Sequence, residues 1–479
     1  MQFNSLDFLV FSLVFFPLFY LLPVGIRPFL TLVASFVFYG AWKVEYLGLI
    51  FLSTIIDYGC SLWIEKKRGD LRKAKTGLFI SLFSNLFILF FFKYLNLFAG
   101  SLEWICNWSE LCRITWTGTD YELPVGISFY TFQTMSYTID VYRGQMKAEK
   151  SLMRFALYVC FFPQLVAGPI ERASHLLKEF QDGFQPNWER WKSGLGYLAF
   201  GFFLKIGLAD NLSPIADHVF DNSATVDSLS AVLGTTAFSF QIYFDFFGYS
   251  TIAIGLGKLV GIDLMDNFKR PYLAANIDDF WKRWHISLTS WFRDYLYIPI
   301  GGNRGGASRT YANVFIVFLI SGLWHGASWN FVIWGALHGV AIILYRLFWK
   351  SKWKLPRLVS IPFMFILATA FWIPFRAKGL SEMSHMGLKF IEFFYGWIPG
   401  LVKVRASDSL NFVLESLNRG QQIGLGITFS VFLVMELATE FAPEKSKRLF
   451  RSSFWVLLLV FLTLLFGTFE NRTFIYFQF

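Results

Sequence analysis

His325 is the residue of this chain whose type and setting speak most directly of chemistry. It sits in Ser321-Gly322-Leu323-Trp324-His325-Gly326-Ala327-Ser328, a small-residue break inside an apolar stretch from Val314 to Leu344. An imidazole titrates near neutrality and can move protons. At membrane depth no bulk water satisfies its ring nitrogens, so such a group faces a protein cavity or another helix. Ionisable side chains in these places mark functional paths, and the flanking glycines and serine leave room for a ligand. Packing is the alternative, with the ring bonded to a neighbouring helix.

The densest polar block runs Asp278-Asp279-Phe280-Trp281-Lys282-Arg283-Trp284-His285-Ile286-Ser287-Leu288-Thr289-Ser290-Trp291-Phe292-Arg293-Asp294-Tyr295. Read as one helix, it brings Trp281, Trp284, Leu288 and Trp291 near one face. Lys282, Arg283 and Arg293 supply positive charge. Two readings stand: an interfacial helix among lipid headgroups, or a binding site for an anionic cytoplasmic donor. Gly301-Gly302-Asn303-Arg304-Gly305-Gly306 follows, where glycines next to Arg304 let backbone amides approach a phosphate or form only a flexible turn; it is not a GxxxxGKS loop, and the turn is favoured unless the donor reading holds. Two further runs set polar groups among apolar ones, Leu123–Gln133 and Gln241–Ser250. In the second, Asp245 needs a partner, an Arg or a Tyr hydroxyl, and serves as bundle glue or as part of a site. His338 reads as a packed or interfacial histidine. His175, His218 and His385 fall in loops and receive no role.

These residues must be held by a membrane bundle. The 479 residues are 55% hydrophobic, 20% aromatic and 16% charged, with a mean hydropathy of +0.47. Soluble domains carry about 25% charged residues. The fold class expected is an all-α polytopic membrane protein. The net charge of +10 does not point to nucleic acid, because the basic residues sit mainly in short loops, where they set orientation. Cys60 and Cys160 read as core residues. Cys106 and Cys112 share one loop, with a disulfide and two free thiols both open. No CxxC or HExxH spacing occurs, so no metal is expected.

Apolar spans are predicted near 8–24, 28–42, 46–64, 78–98, 123–142, 155–168, 194–209, 229–257, 312–324, 329–344, 358–375, 421–439 and 453–468. The basic loop Glu65–Lys75 anchors the cytoplasmic side. Counting from it sets both termini outside, together with Ala99–Glu122. The run 155–168 is short and ends in Gly168-Pro169, so it reads as a re-entrant or buried hairpin. The runs around His325 form a hairpin entered from the cytoplasm, with the glycine break at its turn. Residues 376–420 form an outer segment in which Met383–Phe394 looks amphipathic. The N-terminus lacks the basic start of a signal peptide, so the first span is retained. The tail Thr473-Phe474-Ile475-Tyr476-Phe477-Gln478-Phe479 reads as an external aromatic anchor.

Taken together, Phe280–Leu288, Trp291–Pro299, Gly301–Gly305 and Gly322-Leu323-Trp324-His325-Gly326-Ala327-Ser328-Trp329-Asn330 resemble the signature of the membrane-bound O-acyltransferases (MBOAT). So do Leu123–Gln133, Phe161–Ile170 and Asn267–Tyr272. Within that family the chain is most similar to the branch that acetylates alginate and peptidoglycan, with the teichoic acid D-alanyl transfer proteins as relatives. The resemblance covers nearly the whole chain. It implies one domain over 1–479, with a signature core about 120–345, an outer segment 376–420 and a tail 470–479. It also implies short buried helices around a central tunnel.

On this resemblance His325 is the catalytic histidine and His285 the second signature histidine. The two are expected at opposite ends of one internal path, with His285 nearer the cytoplasm. Trp281, Lys282, Arg283, Trp284, Ser287, Arg293, Asp294, Trp324 and Asn330 are candidates for the donor site or tunnel. Tyr476 is a candidate acyl relay, because its phenol can accept an acyl group and pass it on. Acyl transfer to a hydroxyl needs a base, which an imidazole supplies. The implied donor is acetyl-CoA or another thioester, with no bound cofactor. The implied partners are the bilayer of a bacterial cytoplasmic membrane, an extracytoplasmic transferase and a cell-envelope glycan. Three alternatives remain: acyl export to a separate transferase, D-alanyl transfer to teichoic acid and, from another class, a transporter or channel. The channel reading leaves the Trp/Arg/His block unexplained, and no inverted pair of broken segments supports it.

Overall fold

The structure, a computed structural model, describes residues 1–109, 114–119, 121–166, 168–349, 355–395, 405–450, 452–470 and 472–477. Its regular elements are helical, and no strand occurs among the described residues. Six helices among them are long and apolar enough to cross a membrane: Val44–Lys66, Leu71–Ser109, Trp188–Asp221, Trp329–Trp349, Arg357–Arg376 and Arg419–Phe441. Leu6–Leu21, Val24–Gly40 and Ser453–Phe466 are shorter and also apolar. Large apolar side chains such as Leu13, Phe83, Phe363 and Leu457 point outward from these helices, as a lipid-facing surface requires. The chain is an all-α, multi-pass membrane protein.

Polar side chains hold the helices to one another where lipid offers nothing in exchange. Asp57, buried on Val44–Lys66, accepts from Asn85 Nδ2 at 2.9 and 2.8 Å and from Ser81 Oγ. Asn85 Oδ1 in turn accepts from Ser53 at 2.9 Å and from Thr134 at 3.3 Å. Three helices are joined by this one knot. The centre of the bundle is the 32-residue helix Ser228–Leu259, most of whose residues are buried. Asp227 caps its start, accepting from the amides of Leu229 and Ser230. The amphipathic segment of the outer region is the helix Leu380–Tyr395, which buries Met386 and Phe390.

The short run before Gly168 is two buried helices, Leu152–Cys160 and Phe162–Leu165, divided at Phe161. The amide freed by the division, that of Phe162, donates to Ser35 Oγ at 3.1 Å. The helix predicted over 123–142 starts later, at Ile127, because Gly126 adopts φ +76° just before it. Any Cβ at Gly126 would lie 2.6 Å from the Leu165 carbonyl oxygen. The tail is not an outlying anchor: Phe474 and Ile475 are buried within the bundle. Cys60 and Cys160 are free thiols. The pairing question for Cys106 turns on Cys112, which lies outside the described residues, as do Gln478 and Phe479.

The hairpin around His325 is present as Ala307–His325 and Trp329–Leu344. Its arms touch backbone to backbone. A Cβ on Gly322 would stand 2.2 Å from Phe331 O, and one on Gly335 would stand 2.3 Å from Phe318 O. Adding one methyl here forces the arms apart. Gly335→Ala is therefore expected to destabilise the protein by about 1–3 kcal/mol. Thermal unfolding in detergent would register this as a lower midpoint, and an unchanged midpoint would contradict the close packing.

Candidate functional site

His325 is the last residue of its helix and is 3% exposed. Helix ends leave carbonyls without intrahelical donors. Here Lys93 Nζ donates to Trp324 O at 2.7 Å and to His325 O at 3.1 Å, and Tyr94 Oη donates to Leu323 O at 2.9 Å. Lys93 and Tyr94 come from Phe90–Tyr94, a π-helical turn inside Leu71–Ser109. A cation at a helix C-terminus also meets the negative end of the helix dipole. Lys93 Nζ donates a third bond, to Ser128 Oγ at 3.3 Å. The backbone around His325 is thus held, but the ring is not. Neither ring nitrogen finds a hydrogen-bond partner among the described residues. The imidazole is surrounded by Trp334 at 4.9 Å, Trp324 at 5.0 Å, Phe375 at 5.4 Å, Tyr476 at 5.7 Å and His285 at 6.4 Å between centroids.

The two histidines are therefore neighbours, not opposite ends of a path. The cause is a break in the block read as one helix. His285 adopts φ +43°, ψ +55°, and divides it into Ile277–Arg283 and Ile286–Phe292. Residues with a side chain rarely adopt this conformation, so surrounding bonds must fix it. Asn267 does so. Its carbonyl O accepts from Ile286 N at 2.9 Å. Its Oδ1 accepts from Ser287 N at 3.1 Å and Ser287 Oγ at 2.9 Å. The Ser287 amide can only donate, so the atom it meets is the amide oxygen. His285 Nδ1, 3.2 Å from the same oxygen, then carries its proton. In the neutral ring this leaves Nε2 with a lone pair, and Nε2 has no partner among the described residues.

The third member arrives from the far end of the sequence. Ile475 N donates to Asp245 Oδ2 at 2.7 Å. The next residue, Tyr476, packs beside Phe246 at 4.5 Å and faces His325 at 5.7 Å. The Tyr476 hydroxyl is buried without a partner among the described residues. Asp245 is partnered by that amide and by Lys205 Nζ at 2.8 Å, rather than by the Arg or Tyr hydroxyl anticipated for it. A small cavity of ≈ 40 Å³ opens onto His325, Tyr476, Lys93, Ser128, Gly126 and Trp324. It gathers a phenol, an imidazole and an ammonium, the groups that a nucleophilic transfer to oxygen needs.

The other candidate residues divide into two groups. Trp281 and Trp284 are buried, not interfacial, and form the wall behind the histidines. Trp284 meets Trp372 at 4.9 Å, and Trp281 meets His338 at 4.9 Å. His338 is itself packed among aromatic rings, 4.7 Å from Trp334. Ser287 belongs to the Asn267 clasp. The remaining residues stand away from the cavity. Arg283 bonds Asp279 and Glu440, Asp294 bonds Arg172 and Arg293, and Lys282 is exposed. Asn330 Nδ2 donates to Ala377 O at 2.7 Å, a structural bond. Among the described residues no cluster of three or more His, Cys, Asp or Glu is arranged to hold a metal ion. Lys93, Asn267 and Lys205 were not singled out from sequence. A readable signal existed for Lys93, the one cation inside the apolar run 78–98.

Comparison with known proteins gives a consistent frame. The family model for the membrane-bound O-acyltransferase family matches residues 36–373. The probable alginate O-acetylase of Azotobacter vinelandii is 41% identical over 388 residues, 81% of this chain and 77% of that protein. The peptidoglycan O-acetyltransferase of Helicobacter pylori is 34% identical over 456 residues, 88% of this chain and 84% of that protein. The teichoic acid D-alanyltransferase of Bacillus subtilis is 30% identical over 246 residues, 48% of this chain and 61% of that protein.

Lys93 offers a direct check on the geometry. Lys93→Met keeps the stem but leaves the Trp324 and His325 carbonyls without their donor. A loss of about 1–3 kcal/mol is expected for such an orphaned buried group. The readout is thermal unfolding in detergent followed by tryptophan fluorescence. Parental stability in Lys93→Met would mean that the bonds do not hold the helix end.

Proposed function

Because this chain belongs to the membrane-bound O-acyltransferase family and is an O-acyltransferase, we propose that it takes an acyl group, acetyl, from a cytoplasmic thioester such as acetyl-CoA and delivers it across the membrane. The final acceptor in this reading is a hydroxyl of an exported polysaccharide or peptidoglycan, reached directly or through an extracytoplasmic transferase. The observation that carries it is the pair of unpartnered groups, the His325 imidazole and the Tyr476 hydroxyl, on neighbouring rings at the cavity.

In the proposed chemistry His325 removes the Tyr476 phenol proton as the oxygen attacks the thioester carbonyl. The C–S bond breaks, the O–C bond forms, and the proton returns from His325 to the leaving thiolate. The acyl-tyrosine then meets the acceptor hydroxyl. His325 takes that proton and gives it back to the phenolate as the ester moves on. Each half-reaction leaves the imidazole as it began. His285, its ring 6.4 Å from that of His325, offers its Nε2 lone pair to the thioester end. The Lys93 ammonium, its three protons already given to Trp324 O, His325 O and Ser128 Oγ, contributes its positive field, and the Ser128 hydroxyl its proton, toward a carbonyl oxygen gaining negative charge.

Depth supports this direction of transfer. With the basic loop Glu65–Lys75 in the cytoplasm, the helix starting at Leu71 reaches Lys93 after roughly 30 Å, about the hydrocarbon thickness. The His325 backbone, bonded to Lys93, then lies toward the extracytoplasmic face. Both termini are extracytoplasmic on the same count, and the domain is the whole chain.

His325→Ala is expected to abolish cell-envelope acyl esters while the protein still accumulates in the membrane. Full ester content in that variant would reject the catalytic assignment. Tyr476→Phe keeps the ring and removes only the oxygen. Ester content in Tyr476→Phe cells is expected to fall at least a hundredfold, and unchanged content would sink the relay. Mass analysis of the esters in the parent identifies the acyl group and the acceptor together, with D-alanyl esters on teichoic acid as the outcome that would redirect the substrate assignment.

A further inference from the structure

We infer that Asp245, held in the bundle by Lys205, is a positioning residue that fastens the C-terminal tail so that Tyr476 stands over His325. The inference deepens the relay reading and rests on it for its functional meaning.

The tail leaves the last membrane helix at Gly467 and is first fastened by the π-helical segment Phe203–Ala209. That segment frees a carbonyl from the usual ladder, and Thr468 N donates to it, at Ile206 O, 3.1 Å. Thr468 Oγ1 donates to Asn211 Oδ1 at 2.9 Å. Phe469 is 61% exposed, and Thr473 is exposed as well. The chain turns inward again at Phe474, and there Ile475 N meets Asp245 Oδ2 at 2.7 Å, one residue before the phenol. This backbone bond lies at the point where the tail re-enters.

Aromatic packing alone does not fix the depth of a tail, since rings slide over one another at small cost. A carboxylate bond to a backbone amide does fix it, because leaving it unmade orphans a buried carboxylate oxygen and a buried amide. Asp245 and Phe246 are adjacent on the central helix. One fastens the backbone before Tyr476. The other touches the rings of both Tyr476, at 4.5 Å, and His285, at 4.6 Å. The phenol and the histidine pair therefore share one reference element.

A lone carboxylate at this depth is costly. Lys205 offsets it, lying 2.8 Å from Asp245 Oδ1 and 2.8 Å from Asp210 Oδ1, with all three side chains at most 5% exposed. The arrangement contains its own control. Asp245→Ala removes the tail bond but leaves Lys205 paired with Asp210. Asp210→Ala removes an equally buried carboxylate from the same lysine but leaves the tail bond in place.

The test uses the full-length protein in detergent with Tyr476→Cys as a reporter, labelled with a hydrophilic maleimide. Background from the native cysteines is measured in the parent. Asp245→Ala is expected to raise the labelling rate of the thiol at position 476 at least tenfold. Asp210→Ala is expected to leave it within about threefold. Asp245→Asn, whose amide oxygen can still accept the Ile475 amide, is expected near the parent. Equal rates in the two alanine variants, whether raised or not, overturn the fastening role. In the otherwise native chain, Asp245→Ala is expected to lower acyl-ester formation at least tenfold, with Asp245→Asn restoring most of it. Undiminished ester formation beside a freed tail would overturn positioning for the reaction. Labelling does not use the phenol, so a failed relay and a failed fastening give different results.

Discussion

Inside a membrane bundle a polar group must find its partner within the protein, and the helices of this chain are joined and ended by groups that do so. The Asp57 knot, the Lys93 cap and the Asn267 clasp each close their bonds internally. The ring of His325, the Nε2 of His285 and the hydroxyl of Tyr476 do not find partners among the described residues. Buried polar groups left unpaired in this way cost about 1–3 kcal/mol each. His338 and the indoles of Trp281, Trp284 and Trp334 are unpartnered too, but they pack ring against ring in the wall behind. His325 and Tyr476 differ from them in lining an open cavity, and that is what marks the site.

The site is assembled from irregular backbone rather than from regular helices. A π-helical turn presents Lys93, a left-handed residue presents His285, a helix end presents His325, and the returning tail presents Tyr476. Each irregularity frees backbone groups that must be satisfied again. Lys93 answers the end of the His325 helix, and Asn267 answers the break at His285. Asp245 fastens the tail, while the π-helical segment at Phe203–Ala209 lends it a carbonyl. The long helices supply depth and rigidity, and the positions of the proposed reacting groups are set by these local departures from helix geometry.

Much of this was legible in the sequence, for identifiable reasons. Apolar runs of about 20 residues announce membrane helices through length and composition alone, and the short run before Gly168 betrayed its buried break by the same measure. The glycine break at His325 announced the hairpin turn. The error at Trp281–Trp291 was one of periodicity. The 3.6-residue spacing persists across His285 in sequence, but Asn267, eighteen residues earlier, captures the backbone and bends it. That bend depends on a long-range hydrogen bond, which periodicity does not encode. The same holds for Asp245, whose partners lie at Lys205 and Ile475. The tail looked like an interfacial anchor because its composition suits one, and only tertiary contact brings it inward.

The measurement that bears most directly on the proposed relay is the mass of the C-terminal peptide carrying Tyr476, taken after purified protein meets acyl thioester without acceptor. The account predicts one added acyl group on that peptide in the native protein, its removal when acceptor or hydroxylamine is supplied, and none in His325→Ala. An unmodified peptide from a preparation that nevertheless transfers acyl groups to acceptor would contradict it.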